Sequence, residues 1–177
     1  MVLSVNLPSL SLLPKAFAAQ ETSEKFAPNV YVEINSNNVV SIIVHRSEMG
    51  QGIRTSIPII VADELEADWQ PINVIQDLGD KKYGSQNTDG SRSIRNFYKP
   101  LREAGASARM MLEQAAAQLW KVPIAECKAI AGKVTHPPSQ QSVEFGALVA
   151  IASTLPVPEP KDIILKNKAD FKFIGNN

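Results

Sequence analysis

Val39-Val40-Ser41-Ile42-Ile43-Val44, then His45-Arg46-Ser47-Glu48-Met49-Gly50-Gln51-Gly52, then the segment from Ile53 to Ala67 carry the reading of the fold. The first block is β-branched and reads as a strand. The second is a polar loop with two glycines. In the third, Ile57, Ile60, Val61, Glu64 and Leu65 fall near one helical stripe over residues 55–67. Thr55 or Ser56 caps that helix, and Pro58 sits in its first turn, where no amide is missed. A strand, a glycine loop and a helix in this order place backbone N–H groups at the helix start, where they favour an anion.

Upstream, Val30, Val32 and Ile34 alternate with Tyr31 and Glu33, and Ser36-Asn37-Asn38 is a turn, so residues 30–44 form a hairpin. The folded part is expected to begin near Asn29. Residues 20–28 form a polar spacer, and the first twenty residues end Ala16-Phe17-Ala18-Ala19-Gln20. Small residues closing an apolar stretch resemble the back half of an export signal without its basic front. A disordered arm is the alternative. Downstream, Trp69-Gln70-Pro71 ends the helix and Ile72-Asn73-Val74-Ile75 is a short strand. Residues 77–93 are almost free of apolar side chains, and a loop that long inside a domain demands a function or disorder.

Leu101, Gly105, Ala108, Leu112, Ala115 and Leu119 define a long amphipathic helix whose small residues at 104–108 admit a neighbouring backbone. A hairpin about Ala131-Gly132-Lys133 and a short helix over 144–151 follow, with 161–177 read as an extended tail leaving the domain. The expectation is an α+β fold: a small mixed sheet packed with two to three helices. The divisions are 1–28 (truncated signal and spacer), 29–160 (folded segment) and 161–177 (tail).

The 177 residues hold 18 basic and 18 acidic side chains, 44% apolar and 20% charged. Zero net charge excludes a chain built to neutralise nucleic-acid phosphates. No stretch is apolar enough for a membrane-spanning helix. The lone Cys127 excludes an internal disulfide and any multi-thiolate metal site. His45 and His136 show no ligand spacing and read as surface or hydrogen-bonded residues. Asp63, Glu64 and Glu66 read as the solvated face of the first helix. Neither a nucleophile–base pair nor a catalytic residue can be named.

Two loops remain as a candidate site: Met49-Gly50-Gln51-Gly52, and Thr88-Asp89-Gly90-Ser91-Arg92-Ser93 before the long helix. The first lacks the third glycine of a dinucleotide fingerprint and the Gly-Lys-Ser/Thr of a P-loop. The second offers hydroxyls, main-chain amides and a glycine, a donor set suited to a phosphate or a polar heterocycle. A tight turn and a serine-rich capping loop are the alternatives these residues leave open.

Several blocks together resemble a known family. Ser47-Glu48-Met49-Gly50-Gln51-Gly52, Arg54-Thr55, Ala62-Asp63-Glu64-Leu65, Tyr83-Gly84, residues 88–93, Pro100-Leu101-Arg102-Glu103-Ala104-Gly105-Ala106, Trp120-Lys121-Val122-Pro123 and Leu155-Pro156-Val157-Pro158 are similar, in order and spacing, to molybdopterin-binding subunits of the xanthine dehydrogenase and aldehyde oxidase family, isoquinoline 1-oxidoreductase beta type. The resemblance runs from about Phe26 to Gly175. It implies that this segment is part of a larger molybdopterin-binding domain. It assigns cofactor contacts to Met49, Gly50, Gln51, Gly90, Ser91, Arg92 and Ser93, and implies the cytosine dinucleotide form. It further implies oxidation of aldehydes or N-heterocycles with water-derived oxygen, and a separate [2Fe-2S] subunit taking the electrons. Asp89 and Arg92 depart from the all-small loop of more distant members. The family's catalytic glutamate lies beyond this chain, so the rest of the subunit is implied as a partner and the chain alone is expected to be inactive. A periplasmic location is the expectation from the signal-like start, with a cytoplasmic one as the alternative. An inert binding module or the remnant of a truncated gene is the alternative.

Overall fold

A computed structural model describes residues 24–70 and 72–175. The export-signal expectation therefore lies outside the described residues. Four strands form the first sheet in the order β1 (Lys25–Asn29), β2 (Val32–Asn35), β3 (Val40–Val44) and β4 (Ile72–Gln76). β2 and β3 pair antiparallel with Val32 opposite Ile42, the hairpin expected from the alternation. β4 lies parallel to β3, Ile42 opposite Val74, so α1 (Ile53–Leu65) is the crossover of a βαβ unit. The sheet is mixed, as expected.

Three corrections concern the chain ends and the second half. The spacer expected up to residue 28 is instead the edge strand β1, whose Phe26 is buried; an edge position is where Pro28 is tolerated in a strand. A second, antiparallel sheet was not expected: the hairpin foreseen about Ala131-Gly132-Lys133 forms as β5 (Lys128–Ile130) and β6 (Lys133–His136), and β7 (Gln141–Glu144) joins it just before the last helix. Its first turn, with Ala131 at φ 47° and Gly132 at φ 76°, is the mirror-image hairpin turn matching strand twist. Finally, the tail does not leave the domain. It crosses the end of α1, where Lys166 and the amides of 172–174 engage Asp63.

The long helix α3 (Tyr98–Trp120) follows a four-residue α2 (Arg92–Arg95) and buries the expected stripe from Leu101 through Ala115, with Leu119 left exposed at its end. α1 and α3 cross at Gly105: a Cβ built there would stand 2.4 Å from the Val61 carbonyl oxygen. α4 (Phe145–Ala152) covers the β1–β2 side through Phe145, Leu148 and Val149. Cys127 is packed in the core and unpaired.

Asp63 and Glu64, read as solvated, are fully buried. Glu64 pairs with Arg102 from α3 (Nε–Oε1 2.5 Å), and Asp63 with Lys166 from the tail (2.9 Å). Glu66 takes Lys166 at 2.7 Å and also pairs with Lys172. Charges on the inner side of a helix survive burial only when partners of opposite sign reach them, and these partners come from elements distant in sequence. These pairs tie α1, α3 and the tail together, and the two glycine-bearing loops lie at the starts of α1 and α2.

Candidate functional site

β3 ends at Val44, and the chain emerges from the sheet through His45 and Arg46 into the 47–52 loop. Gly50 (φ 95°) and Gly52 (φ 83°) take left-handed backbone, which glycine adopts without strain. Gly52, rather than Thr55 or Ser56, occupies the N-cap position, and Pro58 consequently falls in the second turn of α1. The Glu48 carboxylate does the capping. Its Oε1 accepts the amides of Gly50 (2.7 Å) and Gly52 (3.1 Å), and its Oε2 accepts that of Arg54 (2.9 Å). The positive end of α1, expected to await an outside anion, is thus met by the chain's own. Those amide bonds, foremost that of Arg54, hold the Glu48 carboxyl below its usual range. Gln51 closes the loop on itself: its side-chain oxygen accepts from the Met49 amide (2.6 Å) and its NH2 donates to the Ser47 carbonyl (2.8 Å).

A lowered carboxyl pKa confers stability present above the unfolded value near 4 and lost as pH falls through the folded one. Glu48→Ala is therefore expected to lower the hydrogen-exchange protection factors of the Gly50, Gly52 and Arg54 amides at pH 7, and acid is expected to do the same to the unmodified chain below about pH 4. Exchange rates unchanged by the substitution would show that the loop needs no such cap.

The 77–93 loop has its own order. Tyr83 is buried with its hydroxyl donating to Asp77, and Asp80 accepts the Lys82 amide at 2.9 Å. Its last part turns at Gly90 (φ 48°) and Ser91 (φ 58°) into α2. Asp89 bonds Arg92 at 2.7 Å, and Arg95 donates to the Gly90 carbonyl at 3.2 Å.

The two loops meet. Met49, Gln51, Ile53 and Ser56 on one side, and Thr88, Asp89, Gly90, Ser91, Ser93 and Ile94 on the other, line a single cavity of about 360 Å³. Of the seven residues singled out by sequence, the cavity brings together Met49, Gln51, Gly90, Ser91 and Ser93. Gly50 and Arg92 are not in its lining, Arg92 being turned to Asp89. Gly90 has open space where a Cβ would stand, and Met49 is 68% exposed, so the cavity mouth is bare.

Behind the second loop lies a group that sequence reasoning left unassigned. Arg46 is fully buried, its guanidinium 4.4 Å from the Phe97 ring centroid, with Nη1 donating to the Asn87 carbonyl. Nε and Nη2 find no acceptor among the described residues, and neither does Thr88 Oγ1 in the cavity wall. His45, expected at the surface or hydrogen-bonded, is buried against Phe97 (4.5 Å), Tyr31 (5.1 Å) and Tyr83 (5.7 Å), with both ring nitrogens unpaired. Burial, and secondarily the Arg46 charge, lower its pKa to about 4, so it is neutral at pH 7. His136 is bonded as expected, to Glu126 and Ser139. Among the described residues no cluster of His, Cys, Asp or Glu could hold a metal ion, and no helix is long and apolar enough to cross a membrane.

The cavity suits a hydrogen-bonding group that also has an apolar or planar part. It offers the hydroxyls of Ser56, Thr88, Ser91 and Ser93 and the Gln51 amide, with the Thr88 hydroxyl unpaired, beside apolar surface from Met49, Ile53 and Ile94 and the Asp89 carboxylate held by Arg92. Comparison with known proteins points the same way. The isoquinoline 1-oxidoreductase beta chain of Brevundimonas diminuta is 38% identical over 80% of this chain and 20% of its own. The membrane-bound aldehyde dehydrogenase [pyrroloquinoline-quinone] of Gluconacetobacter polyoxogenes is 29% identical over 85% and 20%. A nicotinate dehydrogenase subunit of Pseudomonas putida is 27% identical over 84% and 12%. The chain thus spans a fifth or less of the length of these relatives. The crystal structure of quinoline 2-oxidoreductase from Pseudomonas putida 86 shares the fold, with a TM-score of 0.54 at 21% identity, over 71% of this chain and 16% of that one. The molybdopterin cofactor-binding domain family matches residues 10–173, nearly the whole chain, and to that family the chain belongs.

Proposed function

We propose that this chain supplies one wall of the molybdopterin site of a molybdenum hydroxylase subunit that oxidises aldehydes or N-heterocycles. The observation carrying the proposal is the convergence of two distant loops on one cavity, each contributing polar side chains to a mixed lining. When bound, the molybdenum cofactor supplies the two-electron redox chemistry and delivers a water-derived oxygen. This chain's residues bind and orient. Gln51, fixed by its bonds to Met49 and Ser47, presents a preorganised amide edge. Gly90 leaves room for close approach, and Ser91 and Ser93 offer hydroxyl and backbone donors. Met49 contributes an apolar contact at the mouth. Gly50 acts through the loop backbone, and Arg92, with its charge shared by Asp89, through long-range attraction.

The names of the relatives, an isoquinoline, an aldehyde and a nicotinate oxidoreductase, support that substrate class, and two of them are named as subunits. The remainder of the subunit and a separate [2Fe-2S] subunit are the proposed partners, and the cytosine dinucleotide form is the proposed cofactor. Periplasmic location is proposed from Ala16-Phe17-Ala18-Ala19 alone.

Titrating the isotope-labelled 177-residue chain with isolated molybdopterin tests the assignment. Saturable shifts of the amides of Gln51, Gly90, Ser91 and Ser93 are expected, with loss of the response in Gly90→Val. Shifts scattered over other faces, or none, would refute the site.

A further inference from the structure

We infer that the buried His45 is an acid-sensitive latch on the second wall of the cavity: uncharged, it seats residues 83–97, and its protonation releases them. The device needs no ligand, so it stands apart from the cofactor reading.

The wall hangs between two anchors. Its lining residues lie between Tyr83 and Phe97, and both of those rings pack on His45, at 5.7 and 4.5 Å between centroids. Tyr31, in the turn before β2, closes a third side at 5.1 Å. Midway, Arg46 donates to the Asn87 carbonyl, and its guanidinium lies over the Phe97 ring. Residues 45 and 46 therefore carry the loop at positions 83, 87 and 97.

This seat suits a neutral ring. His45 is buried, and neither ring nitrogen has a hydrogen-bond partner among the described residues. A proton would place a second cation beside Arg46, in a site with no acceptor for either N–H. The ring faces attract a cation only weakly compared with the hydration it gives up. The neighbouring groups bring no free negative charge. Tyr31 and Tyr83 keep their hydroxyl protons, since burial raises both pKa values. Asp77 is taken up by the Tyr83 hydroxyl, Lys82 over the same ring is positive, and Phe97 carries no charge. Burial, then the Arg46 charge, hold the folded ring's pKa at about 4, against about 6.5 for a solvated histidine. Between those values the open loop binds a proton that the closed loop refuses. Opening therefore gains as pH falls, and closure is complete above about pH 6.5.

Hydrogen exchange of the ligand-free 177-residue chain tests the latch. The amides of Tyr83, Ile94 and Phe97 are hydrogen-bonded within the segment. Their protection factors are expected to fall about twentyfold from pH 7 to pH 5, the ratio that the two pKa values give, while that of Leu112 in α3 holds. Glu48, Asp63 and Asp77 are held below their usual carboxyl range and titrate beneath this window. His45→Phe keeps a packed ring that takes no proton, so its profile is expected to be flat. His136→Gln, in the second sheet, is expected to leave the fall unchanged. A fall that persists in His45→Phe or vanishes in His136→Gln overturns the inference, as does unchanged protection in the unmodified chain. Should His45→Phe fail to fold, the His45 Cε1–H signal of the unmodified chain decides. A titration midpoint near about 4, with protection already falling above it, supports the latch, and a midpoint near about 6.5 removes it.

Discussion

Asp63→Ala is expected to lower stability by roughly 3–5 kcal/mol, the range for removing one partner of a buried ion pair. In a chain this size that is about 6–20 °C in Tm. The side chain is fully buried and receives Lys166 Nζ at 2.9 Å, and the amides of Lys172 (3.0 Å), Phe173 (3.1 Å) and Ile174 (3.0 Å). Alanine would strand the three amides at once and leave the ammonium with only Glu66 and the main-chain carbonyl of residue 63. Burial on its own would raise the Asp63 pKa. The bonds from Ile174, Lys166, Lys172 and Phe173 outweigh it and hold the carboxyl below its usual value. The stability it confers is therefore complete above pH 4 or so and is lost as pH falls through the folded value. Urea melts and trypsin cleavage after Lys166, Lys168 or Lys172 follow the loss, since release of the tail exposes those sites. The double replacement Asp63→Leu with Lys166→Met is expected to recover only part, because it substitutes apolar packing for the ion pair and leaves the three amides without an acceptor. Full recovery would mean that the amides find water and that the ion pair alone ties the tail down.

Gly105→Ala is the second large effect. Alanine normally gains up to about 1 kcal/mol over glycine inside a helix. Here the added methyl would stand 2.4 Å from the Val61 carbonyl oxygen and 2.9 Å from the Glu64 Cβ, both on α1. Backbone cannot rotate away as a side chain can, so α1 and α3 must separate. The net loss is expected to be about 3 kcal/mol, the upper part of the range for overpacking. Separation would also loosen the Glu64–Arg102 pair that spans the same crossing. A thermal melt measures it, with Ala108→Gly as a control on propensity. A stabilised Gly105→Ala would show that the crossing is loose.

The hairpin of β2 and β3, the long helix and the turn at Ala131-Gly132 were legible because each is set by local chemistry: a period of two, a period near 3.6, and a two-residue turn flanked by strand formers. The strand β1 was not. Lys25-Phe26-Ala27-Pro28-Asn29 has no alternation, and its conformation comes from pairing with β2 and from Asn29 Nδ2 donating to the Ala104 carbonyl at 3.0 Å. Glu48 as the cap of α1 was missed for a similar reason. Ordinary caps sit next to the first turn, whereas this one reaches the Arg54 amide from six positions upstream. Arg46 carried no signal beyond being a charge at the end of a β-branched run.

The amino-acid order by itself determined which segments are strands and helices in the middle of the chain, and that two glycine-bearing loops precede helices. It also determined, through the matching blocks, the family. Only the tertiary structure decided that those loops share one cavity, that Asp63 and Glu64 face inward, and that Arg46 is buried with donors to spare. The physical reason is one of range. Backbone preference and apolar periodicity act over a few residues, so they are written locally. Whether a charge is buried, and what pairs with it, depends on groups brought from as far as Lys166 to Asp63, and no local pattern records that distance.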